Sequence, residues 1–141
     1  MKSKLPSDDA CPACGQTMSH VTDDLLVSIH GEKIAVPGIV HLHCQSCGET
    51  LTDVENTGKA LQAGMDLYRR KHHLLLPGQI AALRKSLSLS HADMARVLRA
   101  HSRTVSAWEI GKSVQTPLQD AVLRMLDKVP GTLRFLRKRA A

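Results

Sequence analysis

Apolar positions recur along the chain with two different periods, and the change between them divides it. Residues 24–30, 33–36 and 39–43 are short β-branched runs. Gly31-Glu32 separates the first two as a hairpin turn would, and Pro37-Gly38 supplies a second turn before the third, so a small twisted antiparallel sheet is predicted. Residues 49–52 are short and extended. The period then becomes helical. Thr52 or Asp53 caps a helix to about residue 72 or 73 with Val54, Ala60, Leu61, Met65 and Leu67 as its apolar positions. Gly58 and Gly64 each weaken it by about 1 kcal/mol relative to alanine. Residues 79–86 give another helix. Apolar or small residues at Met94, Ala95, Val97 and Leu98, then at Ala100, Val105 and Trp108, predict two short helices packed at a sharp turn. Thr116-Pro117 opens a further helix, and Leu118, Ala121, Val122, Met125 and Leu126 form a stripe broad enough for a core and a dimer seam. Pro130-Gly131 precedes a last helix over 132–139. The pattern describes an α+β chain of two domains, 1–73 and 74–141: a small antiparallel β module with a helix, then an all-α domain of five helices.

Composition changes this picture in two respects. Of 141 residues, 43% are hydrophobic, yet Trp, Tyr and Phe occur once each, so the cores must be aliphatic, which favours helical packing over a large β-sandwich. Charge is divided unevenly. Residues 1–76 carry seven Lys/Arg and nine Asp/Glu, a net of −2, whereas the remainder carries twelve and four, a net of +8. A basic half suits phosphate neutralisation with release of counterions. The mildly acidic half needs a different partner. The basic run over 69–73 fits a nucleic-acid patch or a helix C-terminus equally. Residues 1–10 lack periodicity and are expected to fray. They contain no signal-peptide core, and no apolar stretch approaches membrane-spanning length, so a cytoplasmic protein without a membrane partner is expected.

Four cysteines stand as two C-x2-C pairs, Cys11/Cys14 and Cys44/Cys47, with 29 residues between them. In a cytosolic chain this spacing is better read as a tetrahedral thiolate site than as disulfides. Gly15 and Gly48 follow each second cysteine and let the backbone bend its amides toward sulfur. One zinc ion is the expected occupant, and a shell of four thiolates leaves no position for a reactive water, so its role is structural. Iron–sulfur ligation and a redox pair are the alternatives. His41 and His43 alternate with Val40 and Leu42, which places them on the polar face of a strand rather than on the metal. No Ser/His/Asp or paired-carboxylate spacing points to an enzyme.

Residues 90–111, SHADMARVLRAHSRTVSAWEIG, carry the second chemistry. Ser102, Arg103, Ser106 and Ala107 face outward on the second short helix, and a small basic helix end can enter a DNA groove. With LRKSL at 83–87, LS-x-x-DMA at 89–95 and TVSAWEIGK at 104–112, the stretch from Ile80 to about Leu126 resembles the Cro/repressor (XRE) helix-turn-helix family. The resemblance implies a phosphate contact at His91 and groove-facing positions at Ser102, Arg103, Ser106 and Ala107; Thr104 beside them, and Arg99 and Lys112 as candidate phosphate contacts, complete the expected DNA-binding set. Arg99 replaces the glycine usual in the turn. Arg103 has the donors for guanine, while Ala107 offers only a methyl to thymine.

Taken together, the two knuckles, the Leu-x-Cys approach at 42–44, LRKSLSLS at 83–90 and LRMLDKVP at 123–130 resemble the MqsA (YgiT-type) antitoxin family over nearly all of the chain from Cys11 onward. That resemblance implies a type II toxin-antitoxin system. The zinc domain would bind and neutralise a ribonuclease toxin, and the helix-turn-helix domain would form a homodimer that represses its own operon at a palindromic operator. The alternative is a stand-alone XRE-type regulator whose zinc domain is structural or senses metal or redox state.

Overall fold

A computed structural model of the chain describes residues 10–140, so the expectation for residues 1–10 lies, Ala10 apart, outside the described residues. Among them are β1 (Ser19–Ile29), β2 (Glu32–His43), β3 (Thr50–Leu51), α1 (Val54–Lys71), α2 (Pro77–Ser86), α3 (His91–Leu98), α4 (Ser102–Glu109), α5 (Pro117–Lys128) and α6 (Thr132–Ala140). The fold is α+β, a sheet module followed by five helices. Its two compact units meet between Tyr68 and Arg69, in the last turn of α1.

In the first unit the strands form one antiparallel sheet in the order β1-β2-β3. His30 and Gly31 make the hairpin turn, both with positive φ (50° and 79°), as a two-residue turn matched to strand twist requires. The turn expected at Pro37-Gly38 does not form. β2 runs through it, because Asp23 pairs with Ile39 and Leu25 with Val36, leaving two residues opposite Asp24. Gly38 takes up this bulge at φ 71°. The bulge also shifts the side-chain phase. Val40 is 41% exposed, while His41 and Leu42 are both buried, so the polar-face reading of His41 is corrected. Leu42 packs with Cys11, Met18 and Cys44, next to the cysteine knuckles.

Asp53 caps α1, accepting the Asn56 N–H at 2.7 Å. The stripe that α1 buries is Ala60, Gly64 and Tyr68, whereas Val54 and Leu61, expected inside, are exposed. Gly64 explains the difference. A Cβ there would lie 2.3 Å from Cγ2 of Val27 and 3.5 Å from Cγ2 of Val36, so its bare backbone is what seats the helix on the sheet. Tyr68 packs edge-on against His30, with ring centroids 5.6 Å apart.

The second unit closes around Ile80, Leu83, Met94, Val105, Trp108, Leu123 and Leu126. α2 starts at Pro77, with the Leu76 N–H donating to Gln79 Oε1 at 2.8 Å, so part of the expected boundary segment 74–78 is helix and Leu74 is buried. Ser90 accepts from the Asp93 N–H to cap α3; hydrogen bonding from the Ser90 side chain and backbone favours the Asp93 carboxylate and lowers its pKa. Arg99 ends α3 at φ 54° and ψ 42°, the left-handed conformation glycine adopts most easily. Thr116 and Gln119 form a reciprocal cap at the start of α5. α5 buries Asp120, Leu123 and Leu126. Of the stripe read as serving both a core and a dimer seam, Leu126 is buried, while Leu118 is 76% exposed and Met125 47%. Asp120 is held by the Leu75 N–H at 2.8 Å and by Gln115 Nε2 at 3.0 Å, which fixes the approach to α2 against α5.

Candidate metal centre and nucleic-acid interface

The two cysteine pairs lie on loops with one backbone design. In the first, Cys11 N–H donates to the Gln16 carbonyl at 2.7 Å and Gly15 N–H to the Cys11 carbonyl at 2.8 Å. In the second, Cys44 N–H donates to Glu49 at 2.9 Å and Gly48 N–H to Cys44 at 2.8 Å. Gly15 and Gly48 sit at φ 77° and 81°, so each loop closes through a left-handed glycine. β2 delivers Cys44 directly, and Thr50–Leu51 pairs back onto His43 and Leu42 to hold the second loop against the sheet.

This design brings the four sulfurs within 4.8 Å of one another, with Cys11 to Cys47 and Cys14 to Cys44 each at 3.5 Å. A tetrahedral ion with metal–sulfur bonds of about 2.3 Å needs sulfurs about 3.8 Å apart, so the four cysteines can hold one metal ion. The backbone amide of Cys47 leads the interactions that lower the Cys44 pKa to about 7. The Glu49 amide favours the Cys47 thiolate, but hydrogen bonding with Cys11, burial and the other two cysteines outweigh it and push Cys47 up to about 12. Within the second loop the Cys44 thiolate is therefore favoured over that of Cys47.

In the second unit, α3 and α4 form a concavity of about 540 Å³ lined by His91, Ser102, Arg103, Ser106, Ala107, Ile110 and Lys112. Six of the eight residues assigned to DNA from sequence are thus brought together. Thr104 is half-buried beside them without lining the concavity. Arg99 does not join them, because its guanidinium donates to the Arg139 carbonyl at 2.8 Å. Sequence reasoning missed the group that organises the wall. Glu109 at the end of α4 accepts from Arg84 Nε at 2.6 Å and Nη2 at 3.2 Å, and from His91 Nε2 at 2.9 Å. Arg84 also donates to the Leu89 carbonyl at 2.9 Å. α2, α3 and α4 are thereby tied at one nearly buried carboxylate. Burial alone would raise the Glu109 pKa, but the hydrogen bonds from Arg84 and His91 reverse this and lower it.

Residues 9–137 match a family described as the antitoxin component of a bacterial toxin-antitoxin system, MqsA. The chain belongs to the MqsA antitoxin family. It is 28% identical over 131 residues to Antitoxin MqsA of Escherichia coli (strain K12), covering 90% of this chain and 98% of that one. It is also similar to Antitoxin HigA-2 of Vibrio cholerae serotype O1 (strain ATCC 39315 / El Tor Inaba N16961), at 33% identity over 60 residues, 43% of this chain and 58% of the relative. Among the described residues no helix is long and apolar enough to cross a membrane.

Proposed function

We propose that this chain is the antitoxin of a type II toxin-antitoxin pair, acting in the cytoplasm by binding and not by catalysis. Its first unit binds and neutralises a ribonuclease toxin. Cys11, Cys14, Cys44 and Cys47 hold one structural zinc ion there, which makes up for the small core of a three-stranded module. Its second unit binds operator DNA as a homodimer and represses the operon that encodes both proteins. His91, Ser102, Arg103, Ser106, Ala107 and Lys112 contact the DNA, with Arg103 reading a guanine edge and His91 and Lys112 on phosphates. Two recognition helices related by a dimer axis imply a palindromic operator with half-sites about 34 Å apart.

The observation that carries this reading is the gathering of those six residues at one concavity in the half of the chain with net charge +8, while the sulfur cluster lies in the half with net charge −2. The dimer is supported by apolar side chains that α5, α6 and their connection leave in solvent: Leu118, Met125, Val129 and Phe135. The test is to express the adjacent open reading frame with this chain, tagging only this one. Co-purification of an RNA-cleaving protein whose toxicity this chain relieves, together with binding of the complex to the upstream DNA, is the expected result. A neighbour that neither binds nor harms the cell would overturn the antitoxin assignment.

A further inference from the structure

The concavity of the second unit contains one side chain of the type whose charge changes near neutral pH. His91 opens α3 with its side chain 43% exposed, and it both touches the nearly buried Glu109 carboxylate and lines the concavity. Although burial works against it, the hydrogen bonds from Arg84 and His91 hold Glu109 ionised. A carboxylate oxygen only accepts, so the His91 Nε2 that lies 2.9 Å from Glu109 Oε2 carries a proton. With that proton fixed, the ring has two forms. Nδ1, which takes no part in this bond, is a lone pair in the neutral ring and a second N–H in the cation. A phosphate oxygen is repelled by the first and bonded by the second, and its charge favours the cation wherever it meets the ring.

The charges around His91 oppose one another. Glu109 of α4 favours the cation. Arg84 of α2 opposes it and already engages that carboxylate, through Nε at 2.6 Å and Nη2 at 3.2 Å. Arg103 of α4 and Lys112 just beyond it line the same concavity and oppose it too. α6 also packs on α3, but its Arg137 lines a different concavity, together with Asp93 and Arg96 of α3 itself. Among the groups that share the wall with His91, one carboxylate thus stands against three cations. The further anion that an imidazolium calls for is a DNA phosphate.

We infer that operator binding is proton-linked: each protomer takes up one proton from the buffer onto His91 Nδ1 as a DNA phosphate docks, while Glu109 holds the ring through Nε2. This rests on the operator-binding reading and adds to it the form in which His91 makes its phosphate contact. The sign follows from which form the complex favours. The contact is at full strength in acid, where the ring is charged before and after binding, and is lost as pH rises through the histidine range. Repression would tighten as the cell interior acidifies.

The test titrates the full chain against a fluorescent duplex of the DNA upstream of its reading frame, at fixed ionic strength, from about pH 5.5 to about pH 8.5, where histidine titrates. Affinity should fall about tenfold or more across that range, as expected for one opposite charge beside one titrating group. The salt slope should be smaller by up to about one per protomer at the alkaline end. His91→Gln keeps a donor for Glu109 but has no charge to gain, so its affinity should be level with pH and match the unmodified chain only at the alkaline end. His101, exposed at the start of α4 and making no side-chain cap, is the control, and His101→Gln should keep the full dependence. Dependence that survives in His91→Gln or disappears in His101→Gln overturns the inference, as does level affinity in the unmodified chain. Those outcomes leave the operator reading intact, whereas failure of the unmodified chain to bind this duplex at any pH overturns both together.

Discussion

Gly58 and Gly64 lie six residues apart in one helix and should respond to alanine in opposite directions. Helix propensity favours alanine over glycine by about 1 kcal/mol at both. At Gly58 a Cβ meets nothing within 4 Å, so Gly58→Ala should keep that gain. At Gly64 the new carbon would stand 2.3 Å from Cγ2 of Val27. Carbon atoms pack best at about 3.5–4.0 Å, so the helix and sheet must separate by more than 1 Å, or Val27 must leave its rotamer. Val27 is buried and β-branched, with little rotamer freedom. Overpacking of this kind costs about 1–3 kcal/mol, and an overlap this deep against a stiff side chain belongs at the upper end. Set against the propensity gain, Gly64→Ala should destabilise the first unit by about 2 kcal/mol. At about 4–8 °C per kcal/mol for a domain of this size, Gly58→Ala should raise its Tm by one such step and Gly64→Ala lower it by two. Methyl NMR signals of Val27 and Val36 follow this unit during heating, while the fluorescence of Trp108 follows the other and should not shift. Val27→Ala added to Gly64→Ala should restore part of the loss. If both single variants stabilise alike, α1 does not seat on Val27.

Three further outcomes follow from the two sites. Because the folded Glu109 pKa is lowered, its carboxylate contributes stability above the unfolded value of about 4.3 and loses it as pH falls through the folded pKa. Acid unfolding of the second unit should therefore be steep below about pH 4 and flatter in Glu109→Gln, whose neutral-pH stability should fall by about 3–5 kcal/mol as for other broken buried pairs; matching acid transitions would refute this. Arg103→Ala should weaken operator binding by about 1–3 kcal/mol and relax base preference at one position, while Lys112→Ala should weaken all sequences alike and lower the salt slope by about one. Gel-shift titrations at several salt concentrations separate the two patterns, and an Arg103→Ala protein with unchanged affinity would remove it from the readers. Chelation, or Cys44→Ser, should unfold the first unit while the fluorescence of Trp108 and operator binding persist; simultaneous loss of both signals would refute independent units.

The features legible in the sequence are those set by local chemistry. Two C-x2-C-G strings specify two tight loops whatever surrounds them, and Thr116-Pro117 with Gln119 specifies a capped helix start in four residues. Ser90 and the paired apolar runs of α3 and α4 are similarly self-contained, so the helix-turn-helix and the α+β division could be read directly. Pro37-Gly38 was misread for a physical reason. The same glycine conformation serves a chain-reversing turn or a bulge, and only the partner strand decides, here because Asp24 has two residues opposite it. Gly64 was misread as a weakness because its value lies in the approach of Val27, 37 residues away in sequence.

The same distinction separates residues that touch a partner from residues that hold them in place. Arg103 could be named from sequence because helix periodicity puts it outward. Glu109 could not, since its role depends on Arg84 arriving from α2 and His91 from α3 at one carboxylate. His91 donates to Glu109 through Nε2, so the wall proposed to face nucleic acid is aligned by an anion behind it. Removing that anion leaves each residue proposed to contact DNA present but frees α2, α3 and α4 from their shared anchor. Glu109→Gln should therefore weaken operator binding without a change in base preference, whereas Arg103→Ala alters preference as well, and comparing the two on sequence-varied operators distinguishes alignment from reading.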